Sequence, residues 1–228
     1  MEIIKSIESL VGLDYKHISF DLWLTLIKSN PNYKSKRNLL FKDFFELEQD
    51  IETVSQKVRY YDVVCNSINE KTGKNIDTEE IYLLILSSLG YDMNKMNRKM
   101  LEEFYEESEK IFFDNEPVFI NSDTYQIFND LKNEGITMNI LSNTGFVKGK
   151  TLRLFLDENN LGGFFDFQIY SDECNYSKPN VEIFNLVYDK IKIKNRTFKS
   201  QVIHIGDNLI ADCEGAKAFG FSTFHFKN

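Results

Sequence analysis

The segment ISFDLWLTLI, residues 18–27, decides how the rest of this chain is read. His17 to Phe20 form a short apolar run, and Asp21 stands at its carboxyl end. A brief apolar run bounded by a polar residue fits a buried strand. A carboxylate at the end of such a strand, with a short turn after it, is well placed to act as a nucleophile. It could also simply cap the turn. Two positions on stands Trp23, whose indole N–H donates a hydrogen bond but offers no acid–base chemistry near neutral pH. Thr25 follows.

Outward from this segment the pattern repeats. Apolar runs at 138–141, 167–170, 202–205 and 222–226 read as strands. Between them, segments 125–132, 150–157 and 181–191 carry apolar residues at helical spacing, Ile183, Leu186, Val187 and Ile191 forming one stripe. Strands alternating with helices predict an α/β fold, a doubly wound, Rossmann-like parallel sheet with helices on both faces. Ligands in such sheets bind outside the carboxyl ends of the strands. Asp21, Ser142 and Asp207 all fall at such ends.

Residues 31–117 interrupt the alternation and contain no strand pattern. Leu40, Phe44, Leu47 and Ile51 recur at helical spacing, as do Val54, Val58, Tyr61, Cys65 and Ile68. Asp77 with Glu80 marks a helix start. Leu101, Phe104, Tyr105, Ser108, Ile111 and Phe112 make a fourth stripe. The expected organisation is an α/β core of residues 1–30 plus 118–228 and an inserted all-helical domain of residues 31–117.

The chain has 228 residues, 42% of them hydrophobic, and a net charge of −8. That composition fits an ordered globular protein. The negative charge argues against a nucleic-acid partner. No run approaches the length of a membrane helix, so no membrane partner is expected. Cys65, Cys174 and Cys213 form no CxxC and read as reduced thiols. With an N-terminus unlike a signal peptide, they predict a cytoplasmic protein. The sequence leaves the oligomeric state open.

Four motifs stand in a fixed order: Asp21 in the opening segment, Ser142 and Asn143 in MNILSNTG, Lys178 in SKPN, and Asp207 with Asp212 in VIHIGDNLIADCEG. Each is short, but their order and their elements together are specific. In these motifs the chain resembles the haloacid dehalogenase superfamily of hydrolases, most of them phosphatases. The insert resembles the helical cap that this superfamily places between its first and second motifs. The resemblance implies that Asp21 is the nucleophile and that Ser142, Asn143 and Lys178 bind the transferring group. It implies Mg²⁺ held by Asp21, Asp207 and the Trp23 carbonyl, with Thr25 and Asp212 supporting them. The substrate would be a small phosphorylated molecule, bordered by Trp23.

Trp23 departs from the family pattern, in which an Asp at that position protonates the leaving oxygen and then activates water. Three readings follow: a slow or restricted phosphatase, a carbon–halogen or carbon–phosphorus hydrolase, or a binding protein on an enzyme scaffold. Dehalogenases of the family generally lose the carboxylate that Asp207 provides here. The phosphonate-cleaving branch needs a cap lysine, and Lys34, Lys36, Lys42 and Lys57 read as surface charges. The phosphatase reading leads by elimination. His17, His204 and His225 read as packed strand residues, Cys174 as a thiol without a base, and Tyr60, Tyr61 and Tyr82 as cap core. The basic run 190–199 reads as a solvated helix end and connector.

Overall fold

A computed structural model describes residues 2–195 and 197–227. The strands are β1 (Glu2–Ile4), β2 (His17–Phe20), β3 (Ile27–Lys28), β4 (Val118–Phe119), β5 (Thr137–Ser142), β6 (Phe167–Tyr170), β7 (Val202–Gly206) and β8 (Ser222–Phe226). Six of them form one sheet in the order β1–β8–β7–β2–β5–β6, and every pair in it is parallel. The five expected strands are present. β1 was not anticipated, because three residues at a sheet edge, two of them exposed, carry almost no pattern.

Helices α1 (Pro31–Phe44), α2 (Ile51–Thr72), α3 (Thr78–Ser88) and α4 (Arg98–Asp114) follow β3. Then come α5 (Thr124–Asn133), α6 (Gly149–Glu158), α7 (Ser171–Cys174), α8 (Val181–Asn195) and α9 (Gly215–Phe219). Residues of α5 and α6 pack with Ile18, Phe20, Ile140, Ile203 and Ile205. Residues of α8 and α9 pack with Leu141, Ile169 and Val202. Both faces of the sheet are therefore covered, as a fully parallel sheet requires.

The strand period of two has a further effect. Ile18 and Phe20 face one layer, so Ser19 and Asp21 face the other. There the sheet buries polar groups: His17 Nε2 meets Asn139 Oδ1 at 2.8 Å and His204 Nδ1 meets Ser19 Oγ at 3.0 Å. The expectation that these histidines are packed strand residues holds, but both are hydrogen-bonded.

Helices α1 to α4 have a core of their own, built around Phe41, Phe45, Tyr82 and Phe104. Their ends are locally encoded. The Asn30 side chain caps α1, Asp50 accepts from Thr53 N at 2.8 Å to cap α2, and Asp77 with Glu80 forms the expected capping box on α3. The first expected stripe is corrected: α1 stops at Phe44, and Leu47 and Ile51 lie beyond it. Glu46 takes a left-handed φ of 50°, Leu47 N reaches back to Lys42 O, and Ile51 opens α2 half exposed. Tyr82 is core, whereas Tyr60 is 58% exposed and belongs to the surface.

Two of the connections between the insert and the rest of the chain bear on the site. β3 and β4 pair antiparallel and carry the chain out to α1 and back from α4. Beyond α2, Gly73 O accepts from Ser177 N at 3.1 Å and Asn180 Nδ2 at 2.9 Å, and Lys74 bridges to Tyr176. Gly73 has φ +66°, and a Cβ there would lie 2.7 Å from Asn180 Nδ2, so only glycine fits. The basic run 190–199 includes Arg196, which lies outside the described residues. Lys190 and Lys199 lie over the rings of Phe167 and Phe219.

Candidate active site

Asp21 leaves β2 with its backbone N–H still bonded to Ile205 O at 2.8 Å, which keeps it in the sheet's frame. The chain then makes one tight turn. Leu26 N and Ile27 N both reach Leu22 O, and Leu24 takes a left-handed φ of 59°. The turn returns Thr25 beneath the strand end, where its hydroxyl donates to Asp21 Oδ2 at 3.1 Å. Asp21 is 6% exposed.

Lys178 arrives from the loop before α8. Its Nζ donates to Asp21 Oδ1 at 2.7 Å, to Leu141 O at 2.8 Å, and lies 2.6 Å from Asp212 Oδ1. Asn143 fixes the lysine's backbone: its Oδ1 accepts from Lys178 N at 2.8 Å and its Nδ2 donates to Lys178 O at 3.1 Å. Ser142 is fully buried, with its hydroxyl donating to Asn143 O at 3.2 Å. These two residues were expected to contact substrate. The Asn143 side chain is committed to Lys178, and the Thr144 N–H donates to Ser171 Oγ at 2.8 Å.

Asp212 lies in a wide helical turn after β7. Gly206, on the same sheet face as Asp21, makes room for it, since a Cβ there would fall 2.2 Å from Asp212 Cγ. Asp212 also accepts from Asn208 N at 2.9 Å and meets His204 Nε2 at 3.2 Å. The need for glycine at 206 was not visible in sequence, because it depends on a side chain folding back from the next turn.

Carboxylate oxygens of Asp21, Asp207 and Asp212 lie within 4.8 Å of one another. Burial pushes the Asp21 carboxyl up to about 7, against the pull of Lys178. Burial and the charge of Asp212 push Asp207 up to about 6. Burial also acts to raise Asp212, but Lys178 and the His204 bond outweigh it and hold this carboxyl well below the usual carboxylate range. For Lys178, burial opposes the charge, and the two carboxylates overcome it and raise the ammonium above the usual lysine range. Burial lowers His204, so its imidazole is neutral at neutral pH.

Trp23 is half-buried at the edge of a cavity of about 350 Å³ between α1, α2 and the loops after β2 and β5. Asn143 lines the same cavity, as do Tyr33 and Arg37 from α1 and Asp62 from α2. Arg37 is a site residue that sequence reasoning missed. It falls on the buried stripe of α1 with Tyr33 and Phe41, and a charged residue in that stripe was the available signal. Cys174 is not set up to react: its thiol points at the Tyr170 carbonyl, and burial pushes it up. All three cysteines are unpaired.

A parallel sheet with three carboxylates and a lysine gathered at its carboxyl edge defines a class of hydrolase, and sequence comparison agrees. The family model of haloacid dehalogenase-like hydrolases matches residues 18–226. The chain belongs to that family. Solved structures show the same fold. A hydrolase of the family from Bacillus subtilis, described as bound to magnesium, superposes with a TM-score of 0.68 at 16% identity, covering 92% of this chain and 88% of that one. A phosphatase from Thermococcus onnurineus gives 0.61 at 18% identity over 93% and 86%. The L-2-haloacid dehalogenase of Xanthobacter autotrophicus gives 0.59 at 19% over 92% and 77%. Among curated proteins, a glyceraldehyde 3-phosphate phosphatase from Pyrococcus furiosus is 33% identical over 99 residues, which is 42% of this chain. The match spans 38% of that relative's length. No described helix is long and apolar enough to cross a membrane.

Proposed function

We propose that this protein is a Mg²⁺-dependent phosphatase, acting on a small phosphorylated metabolite through an aspartyl-phosphate on Asp21. One observation carries the reading: carboxylate oxygens of Asp21, Asp207 and Asp212 converge within 4.8 Å, beside a buried lysine that pairs with Asp21 and Asp212. The donor set fits the metal. Carboxylate oxygens are the ligands a hard cation takes, and the raised carboxyls of Asp21 and Asp207 mark a place where positive charge is missing. Asp212 is already committed to Lys178, His204 and Asn208, so Asp21 and Asp207 would hold the ion, with the Trp23 carbonyl as the family's third protein ligand. When bound, the ion would neutralise charge on the phosphoryl oxygens and keep Asp21 ionised.

The residues divide the work. Thr25 and Lys178 fix the two Asp21 oxygens, so the carboxylate cannot rotate away. An Asp21 oxygen forms the new bond to phosphorus while the ester oxygen leaves with its electron pair and takes a proton from water. Lys178, the Ser142 hydroxyl and the backbone N–H of Asn143 stabilise the transferring oxygens. Water then displaces Asp21, releasing phosphate. With Trp23 in place of the family's acid, both proton transfers fall to water or to the insert. Residues 31–117 act as a cap that excludes bulk water and polymers, favouring small substrates. The unpaired cysteines suit a reducing, cytoplasmic setting.

The other chemistries have less support. A Schiff-base lysine must be desolvated, and Lys34, the one lysine among the described lining of the cavity, is exposed. A metal-free dehalogenase has no use for Asp207 beside Asp21. A panel of phosphate esters assayed with Mg²⁺ and after chelation tests the proposal, with Asp21→Asn as control. The expected result is metal-dependent turnover that falls by more than the roughly 10²–10³-fold of losing one oxyanion donor. Absence of turnover across the panel would favour a ligand-binding role.

A further inference from the structure

The cavity between insert and core holds a cation without a counter-charge. Arg37 is only 5% exposed, yet among the described residues it forms no ion pair. The one carboxylate among the described lining residues, Asp62, is taken by Arg59 at 2.7 Å. Buried arginine is normally paired, because taking its charge out of water is costly. What surrounds Arg37 positions it without neutralising it. Its Nε and Nη2 donate to Asn38 Oδ1 at 3.3 and 2.9 Å, and Asn38 is itself tied to Ser55 Oγ on α2 at 3.1 Å. Its Cζ lies 4.2 Å from the centre of the Phe146 ring. Phe146 belongs to the loop after β5, so the seat of this guanidinium is assembled from both insert and core.

We propose that Arg37 binds a carboxylate at the far end of the substrate, so that the substrate is a small phosphate ester of a carboxylic acid. This rests on the phosphatase reading above. Trp23, two residues past Asp21, and Asn143, whose side chain holds Lys178, line the same cavity as Arg37, so a small molecule with its phosphoryl group at Asp21 would extend toward Arg37. A volume of about 350 Å³ suits a metabolite of a few carbons. Asn38 engages Nε and Nη2, and the Tyr33 hydroxyl is a further, neutral partner of the guanidinium. A planar guanidinium with five N–H donors has donors left for a carboxylate. Charge selects between anions: Lys34 is exposed and Arg59 is paired with Asp62, so Arg37 is the buried cation to be balanced, which a monoanion does, whereas a second phosphate would bring excess negative charge into a low-dielectric pocket.

The test is calorimetric binding, with Mg²⁺ present, in an Asp21→Asn background where no ester is consumed. 3-Phosphoglycerate and phosphoglycolate are compared with glycerol 3-phosphate, which ends in a neutral hydroxyl, and with fructose 1,6-bisphosphate. At least one carboxylate ester should bind about 10–100-fold tighter than glycerol 3-phosphate, the range of a charge-assisted hydrogen bond. Arg37→Gln should erase that preference and leave glycerol 3-phosphate within about threefold. Arg37→Lys should recover part of it. Equal binding of the esters, binding of none, a preference that survives Arg37→Gln, or an Arg37-dependent preference for the bisphosphate would each overturn the proposal. The comparison of esters needs no change at Arg37, so it stands even if a variant fails to fold. Turnover by the unaltered protein is read separately. Carboxylate-selective binding with no turnover would leave the Arg37 site standing and remove the phosphatase reading. Turnover without selectivity would do the reverse.

Discussion

In the α/β core, Lys178 lies 2.7 and 2.6 Å from two carboxylates and donates to a strand-end carbonyl. In the insert, Arg37 is almost as deeply buried and touches an amide oxygen and an aromatic face, but no carboxylate. Both places bury a cation, with opposite consequences. The core lysine belongs to a network that must be complete before the chemistry begins, so its loss strands other charges. The arginine is left open on one side, so its loss strands one neutral acceptor, Asn38 Oδ1, and no charge within the protein. A buried charge that is fully paired organises a site, whereas one that is unpaired is available to a ligand.

The largest expected effect tests the first half of that contrast. Lys178→Met keeps the stem and removes the charge, leaving Asp21 and Asp212 buried beside each other. In metal-free protein this should cost about 3–5 kcal/mol in urea unfolding, the scale for breaking a buried ion pair from one side. A loss below about 1 kcal/mol would show that the carboxylates relax without the lysine, and the contrast would collapse.

Next in size is a rate. Trp23→Asp would place a carboxylate at the edge of the cavity and should raise turnover by up to about 10²-fold, the lower range for a positioned acid–base group. Trp23 packs against the core, so the variant must first melt cooperatively. Unchanged turnover in a folded variant would mean that the insert already supplies the proton.

A smaller effect concerns pH. In the metal-free protein Asp21 and Asp207 titrate near 7 and 6, above their unfolded value of 3.8. Between about pH 4 and 7 the folded state therefore binds more protons than the unfolded one, and these two groups make stability fall as pH rises through that window. A cation held by both carboxylates must displace those protons. Millimolar Mg²⁺ should raise the melting temperature more at pH 8 than at pH 5.5. An equal rise at both would remove Asp21 and Asp207 as ligands. The smallest effect completes the contrast: Arg37→Met should cost no more than about 1–2 kcal/mol, because the lost bonds to Asn38 Oδ1 and the lost stacking on Phe146 are partly offset by relief of a buried charge. A loss as large as that at Lys178 would mean that Arg37 has a structural partner after all.

The sequence made the core readable and the cavity largely unreadable, for a physical reason. Strands buried on both faces announce themselves as apolar runs, and parallel topology puts whatever follows them at one edge. Asp21, Ser142 and Asp207 could therefore be placed together from their positions alone. Lys178 and Asp212 needed the family's motif order, because loop and turn carry them to the same point. The helices of the insert were legible from their period and caps. The break after Phe44 was not, since Leu47 continues the spacing while the backbone reverses at Glu46. Nor was the Arg37 seat, whose halves, Arg37 and Phe146, lie in separate units of the chain. Contacts between two separately patterned regions leave no periodicity in either.

The single carbonyl of Gly73 has a kinetic meaning. It accepts from two donors, Ser177 N and Asn180 Nδ2, that flank Lys178 in the chain. Were the insert to lift, it would pull on the loop that holds the lysine in register, so opening and full assembly of the site would oppose each other. Such a coupling makes residence time a property of the latch, separate from the speed of bond cleavage. Gly73, far in sequence from every catalytic motif, would then contribute to how long a product waits before the next molecule can enter.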